Sequence, residues 1–317
     1  MKELTIGTDC SGIEAPIQAL KQMKRSFRHL WACDYDKYSK ESIYANYSPE
    51  TWYDNMVTRN NKTLPKTDLD IYVCGFPCQP FSLMGKKQGT KDKRGNIMME
   101  CVSVIKYKLP KIFILENVKN FKSIQNGEPF NFLIKTLENI KDPKNKEKAY
   151  NIYYDVLNTR DYGIPQNRER IFIIGIKKEH QKIENGYYID YTTPKVKKCK
   201  KLDDFIIDKK KYNINISNSL QKNLDKIKGN GDFLVTPFTF YSAMKNFCPT
   251  LTTKCSSYYH TKYKRNLSPK ECLLLQGFSK NFKQVVSNAQ LYRQAGNSMS
   301  VCVLKSLFKE IFKITNL

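Results

Sequence analysis

The sequence predicts an α/β protein: a mostly parallel, doubly wound sheet that carries a second, smaller and more basic region. Three observations lead there. Apolar runs of strand length alternate with amphipathic helical stretches through the first 177 residues. The first run, ending in "TDCSGIEAP" (8–16), passes through a glycine turn into a helix, as nucleotide-binding folds do. After Gly175 the alternation stops, and the chain turns charged and rich in turn residues.

In chain order, strands are expected at 3–8, 29–34, 70–74, 112–116, 151–157 and 171–176. Helices are expected at 13–24, 37–46, 96–108 and 129–140. The segment 178–285 reads as the second region, with turn residues mixed among β-formers in "KGNGDFLVTPFTFYSAM". The last stretch, "LYRQAGNSMSVCVLKSLFKEIFKI", reads as one amphipathic helix that rejoins the first unit. The domains are therefore expected as 1–177 plus 286–317, and 178–285.

Composition narrows the function classes. At 317 residues, with 40% hydrophobic and 12% aromatic residues, the chain can bury an ample core. No apolar run is long enough to span a bilayer. The N-terminus lacks the basic-then-apolar pattern of a secretory leader, so an intracellular protein is expected, with no membrane partner. Ten cysteines in such a chain are expected as thiols, and with three histidines and no second C-x2-C no metal is expected. Lys+Arg 54 against Asp+Glu 30 gives a formal charge of +24. A lysine-rich proteome explains the lysines but not the scarcity of acids, and nucleic acid is the natural partner for such an excess.

Three stretches carry chemistry. In "DIYVCGFPCQPFS" (70–82) a strand ends at Gly75, and two prolines then hold Cys78 at the strand's C-terminal edge, where open α/β sheets bind ligands. Cys78 is either a nucleophile facing a cleft or a small buried hydrophobe. In "IFILENVKNF" Glu116 follows an apolar strand directly, a costly place for an unpaired acid; Asn117 reads equally well as a helix N-cap. In "DYGIPQNRERIFIIG" Gln166, Arg168 and Arg170 fall on one face of a strand, a set suited to a planar base or to phosphates, or else to a solvated edge.

These stretches, with "RNLSPKECLLLQGF" and "QAGNSM", occur in the order and at the spacing of one family. Along nearly its whole length the chain resembles the DNA (cytosine-5) methyltransferases. The resemblance implies a Rossmann-like S-adenosylmethionine-dependent methyltransferase fold with a smaller, irregular β-rich target-recognition domain. It implies methyl transfer from S-adenosyl-L-methionine to C5 of a cytosine flipped out of double-stranded DNA. On these positions Cys78 is the implied nucleophile toward C6, with Gln79 beside it. Glu116 holds N3 and the exocyclic amine, and Arg170, with Arg168 behind it, holds O2.

For the donor, the resemblance implies Asp9, Cys10, Ser11, Gly12 and Ile13 in the first loop. Backbone N–H groups of Ser11, Gly12 and Ile13 would face the methionine carboxylate. Asp34 would accept the ribose hydroxyls and Tyr35 would cover the adenine. Asp54, Asn55 and Met56 fall at the adenine edge, Gly75, Phe76 and Pro77 at the methionine end, and Asn297 and Ser298 beside both. The first loop departs from the family's usual Asp-Leu-Phe-x-Gly-x-Gly-Gly: two glycines are missing and Glu14 stands where one would be. Glu14 must therefore turn away from the carboxylate or pair with the donor's ammonium. Asn297 also reads as an N-cap of the last helix.

For DNA, Ser82, Lys86, Lys87 and Arg94 lie in a basic, glycine-punctuated stretch that suits a lid, and Gln166 joins them. Tyr241, Thr252, Thr253, Lys254 and Tyr258 are candidates for the recognition face. The run "KVKKCKK" (195–201) is either phosphate-binding or solvated. The alternatives are the transfer-RNA branch of the family, whose Cys-Phe-Thr signature is not found here, and a catalytically silent DNA-binding relative. A nicotinamide oxidoreductase would rest on the first loop alone. A monomer is expected.

Overall fold

The computed structural model describes residues 3–77, 97–212, 214–228, 231–238, 243 and 245–317. The first unit is built from β1 (Leu4–Asp9), α1 (Ala15–Gln22), β2 (Phe27–Cys33), α2 (Lys37–Asn46), β3 (Thr51–Tyr53) and β4 (Ile71–Gly75). It continues with α3 (Ile97–Lys108), β5 (Ile112–Val118), α4 (Glu128–Glu138), β6 (Tyr150–Asn158), β7 (Gln166–Asn167) and β8 (Glu169–Lys177). Seven of these strands form one sheet in the order β3-β2-β1-β4-β5-β8-β6. Pairing is parallel from β3 through β5, and β8 runs antiparallel to both β5 and β6. This is a Rossmann-like arrangement with one reversed strand.

The central strands are apolar on both faces because helices cover both. Ile71 and Val73 of β4 point into a core shared with α1, while Tyr72 and Cys74 point into the opposite one with Val102 and Ile105 of α3. Period-two alternation thus feeds two cores from one strand. β5 does the same with Ile112 and Ile114 against Phe113 and Leu115. Helix α2 begins where expected because the Asp36 side chain accepts the Tyr38 N–H at 2.9 Å. The short edge strand β3 was not anticipated; its three residues are too few and too polar to show a period.

The chain leaves β1 toward β2 and β3 on one side, and returns to β4 and β5 on the other. The order therefore switches between β1 and β4, which opens a crevice at their C-terminal ends.

Beyond β8 the structure is irregular. It holds paired strands at Ile183–Glu184 and Tyr187–Tyr188, α5 (Asn218–Leu224), and a three-stranded sheet of Leu234–Val235, Tyr259–His260 and Arg265–Asn266. Cys248–Pro249 pairs in parallel with β7, tying this region to the first. Helix α6 (Pro269–Leu275) starts in a Ser268–Glu271 capping box, and its Cys272, Leu273 and Leu275 share the core of α1. The closing stretch is two helices, α7 (Asn288–Asn297) and α8 (Val301–Lys313), rather than one. The break is held where Val301 N–H donates to Gln276 O at 2.9 Å. Ser300, not Asn297, is the N-cap of α8; Asn297 ends α7.

Gly175 in β8 faces Phe113, and a Cβ there would stand 2.1 Å from the ring's Cε1. Gly175→Ala should therefore lower stability by about 1–3 kcal/mol in denaturant titration. Adding Phe113→Leu should recover part of that loss.

Candidate active site

Three strand ends converge on the crevice. The loop after β1 carries three residues with positive φ in alternation: Cys10 (48°), Gly12 (55°) and Glu14 (61°). A Cβ on Gly12 would meet nothing within 4 Å, so this turn faces open space. Glu14 is fully buried beneath the loop: Thr8 Oγ1 donates to its Oε1 at 2.5 Å, and His29 Nε2 lies 3.3 Å from the same oxygen. The carboxylate thus turns inward, away from the crevice.

Other parts of the loop serve the loop itself. Asp9 is enclosed, with Arg59 clamping it bidentately at 2.6 and 2.8 Å and with Trp31 Nε1 and Tyr72 Oη also donating to it. Its expected place in the donor set is corrected: both oxygens are occupied inside the fold. Ser11 N–H donates to Cys33 O at 3.0 Å and Gly12 N–H to Asp34 Oδ2 at 2.8 Å. Of the three expected N–H groups, only that of Ile13 has no acceptor among the described residues. The Ile13 side chain is buried, and Cys10 Sγ lies 3.8 Å from Met56 Sδ, which is itself buried.

Asp34 follows β2. Its Oδ2 accepts from Gly12 and its Oδ1 from Asp36 N–H at 3.0 Å, and burial pushes its pKa up to about 6 against those two bonds. Two lone pairs remain for a ligand. Beside it the Tyr35 ring is 88% exposed, an aromatic face with nothing over it. Asp54 and Asn55 are exposed after β3; Trp52 Nε1 donates to Asp54 at 2.6 Å, and Asn55 Oδ1 accepts Val57 N–H at 2.8 Å.

The register of β4, β5 and β8 builds the other half. Gly75 stands beside Glu116, and Val118 beside Arg170. Arg170 Nε lies 3.1 Å from Glu116 Oε1. Burial raises the pKa of Glu116, with Arg170 and Arg168 opposing. A Cβ on Gly75 would fall 2.7 Å from Met299 Cε and 3.4 Å from Glu116 Oε2, so a side chain there would have to push the Met299 methyl aside. Asn117 is not a helix cap: its Nδ2 donates to Phe76 O at 3.1 Å, fixing the chain just before exposed Pro77. Phe76 itself is buried edge-on against Phe121.

Arg168 is buried behind Arg170. It donates from one terminal nitrogen to Leu251 O at 2.9 Å and from the other to Ser298 O at 2.8 Å. Burial, then the nearby Arg170 charge, pull its pKa down to about 9. Gln166 is wholly buried, donating to Leu275 O at 2.8 Å and accepting Leu251 N–H at 3.1 Å, so its expected DNA contact is corrected to a structural one. Tyr258 is corrected likewise: its ring is buried and its hydroxyl donates to Thr250 O at 2.6 Å. Thr252, Thr253 and Lys254 are exposed, and Lys254 Nζ sits 4.9 Å from the Phe238 ring centre. Asn297 is exposed at the end of α7, and Ser298 is buried.

Cys78, Gln79, Ser82, Lys86, Lys87, Arg94 and Tyr241 lie outside the described residues. Among the described residues no cluster of three or more His, Cys, Asp or Glu could hold a metal ion. No described helix is long and apolar enough to cross a membrane. Sequence reasoning did not anticipate Arg59 or Met299: each acts through a partner far away in the chain.

The family description for C-5 cytosine-specific DNA methylases matches residues 9–313. The chain is similar to the type II methyltransferase M1.ScrFI of Lactococcus lactis subsp. cremoris, 31% identical over 300 residues, covering 90% of this chain and 72% of that protein. It is 32% identical over 299 residues to the type II methyltransferase M.Bsp6I of Bacillus sp. (strain RFL6), covering 90% and 92%. The S. pombe Dnmt2 methyltransferase shares the fold across 100% of both chains, with a TM-score of 0.72 at 17% identity.

Arg168→Lys keeps a charge but cannot reach both carbonyls. It should cost about 1.5–3 kcal/mol, read by denaturant titration.

Proposed function

This chain belongs to the C-5 cytosine-specific DNA methylase family and is a DNA cytosine-5 methyltransferase, and from that premise we propose that it draws the methyl group from S-adenosylmethionine and works through a covalent Cys78 adduct on a flipped cytosine. The observation that carries the reading is the Glu116–Arg170 pair. It is buried at the C-terminal edge of β5, beside the β4 end that leads through Phe76 and Pro77 to Cys78.

The crevice fits the donor. Gly12 leaves open space, Asp34 retains acceptor capacity, Tyr35 offers a bare ring, and Gly75 keeps the β4 end clear beside Met299 and Glu116. When bound, S-adenosylmethionine supplies an electrophilic methyl group on a sulfonium. Asp34 would hold the ribose hydroxyls, Tyr35 would lie on the adenine, and the Ile13 N–H would meet the methionine carboxylate.

The chain's own residues handle the cytosine. The Cys78 thiolate forms a bond to C6, and the ring electrons move toward C5, which thereby becomes nucleophilic. Negative charge builds on N3 as this happens. Neutral N3 needs a donor, and the raised pKa of Glu116 favours the protonated carboxyl that can donate to it, while the other oxygen accepts from the exocyclic amine. Arg170 braces Glu116 and offers its guanidinium to O2; Arg168 keeps that strand seated. Once C5 has taken the methyl group, with the sulfonium sulfur left as a thioether, water takes the C5 proton, and the C5–H electrons restore the C5–C6 double bond and expel the Cys78 sulfur as thiolate. Ser82, Lys86, Lys87 and Arg94 remain candidates for DNA contacts, as do exposed Thr252, Thr253 and Lys254. Tyr241 stays with them.

The purified protein, given labelled donor, should label duplex DNA; label entering only transfer RNA would overturn the reading. Cys78→Ala should abolish methylation and trapping on 5-fluorocytosine DNA. Glu116→Gln should slow methylation by about 10²–10³-fold. Donor affinity should rise with pH through about 6, as Asp34 loses its proton and gains full acceptor capacity, and then level off. Asp34→Asn should bind more weakly and show no such slope in equilibrium dialysis.

A further inference from the structure

A cavity of about 450 Å³ lies away from the crevice, between the run 197–200, helix α8 and the end of α6. None of the residues that line it belongs to the donor or cytosine set. One wall is the lysine run, and it is built rather than loose. Lys197 N–H donates to Asp161 O at 2.8 Å, and Lys200 N–H to Gly163 O at 3.2 Å. The run is thereby zipped against 161–163, with Tyr162 and Lys197 in a parallel bridge. Lys305 enters from the facing helix, and the floor is apolar, with Ile164, Leu274 and Phe278.

Four lysines, Lys197, Lys198, Lys200 and Lys305, line this one space. Among the described residues none of them lies within ion-pairing distance of a carboxylate. The partners they have are neutral: Lys197 Nζ donates to Ser306 Oγ at 2.7 Å, and Lys305 Nζ to Gln22 Oε1 at 3.0 Å. The nearby Glu310 is held by Lys313 at 2.8 Å. Burial lowers the pKa of both Lys197 and Lys305, and neighbouring lysines lower each further. Like charges gathered in a concavity, without acids between them, repel one another until an anion arrives.

We propose that this cavity is a second ligand site, for a small phosphorylated molecule of nucleotide size, with phosphates on the lysines and an apolar or ring portion on the Phe278 floor. The volume falls in the range of small-ligand pockets. A duplex backbone fits less well. Lys197, Lys198 and Lys200 are exposed and within reach of its phosphates, but Lys305 is half-buried and the apolar floor offers a phosphate nothing.

The test is calorimetric titration of the full chain with ATP, tripolyphosphate and adenosine, each in saturating S-adenosylhomocysteine so that the crevice is blocked. ATP should bind at one site, tripolyphosphate more weakly and adenosine weakest. The double variant Lys198→Glu, Lys200→Glu should weaken ATP at least tenfold, while methylating a short duplex at the rate of the unaltered protein. Absence of ATP binding up to millimolar concentration would overturn the proposal, as would ATP binding unchanged in the variant. A variant that instead lost affinity for the duplex would assign the lysines to DNA and overturn it equally.

Discussion

One buried guanidinium holds the assembly together. Arg168 reaches Leu251 O on one side and Ser298 O on the other, so three segments distant in sequence meet at a single planar group. Lysine has no fork to do this, and a neutral side chain would leave two carbonyls unsatisfied in the interior. The strand that begins one residue later carries Arg170 to Glu116. The placement of the Glu116–Arg170 pair therefore depends on a residue buried behind it. Gln166 adds to the same seam through Leu275 O and Leu251 N–H, which explains why its amide is inside rather than on DNA.

Much of the fold was legible because the physics was local. β4, β5 and β8 are apolar on both faces, and helix α2 follows a capping aspartate. The break between α7 and α8 was not legible, since apolar positions such as Ala295, Val301 and Leu304 run on across it. What ends the helix is a tertiary bond to Gln276 O.

The chemistry divides in the same way. A strand-end acid and period-two spacing singled out Glu116 and Arg170, which the structure pairs at 3.1 Å, whereas Asp34 entered through the resemblance. Asp9 entered through the resemblance of the first loop, which says nothing of the buried arginine that clamps it. Its partner Arg59 lies 50 residues away. Likewise, period two showed that Gln166, Arg168 and Arg170 share a face but could not say which side of that face is interior. Tyr258 failed for the same reason.

The first loop lacks two glycines that the resemblance implies, and its solution limits what can stand at position 14. Where glycines would merely permit the left-handed bends, here Glu14 pins one of them from below, against Thr8 and His29. Positions 8, 14 and 29 are therefore packed together beneath the loop. Replacing Glu14 alone by glycine frees the backbone but takes the carboxylate away from the buried His29 imidazole, while the Thr8 hydroxyl keeps Ser11 Oγ and Trp31 O. Conformational freedom gained at position 14 would thus be taken from the packing of the core beneath the loop.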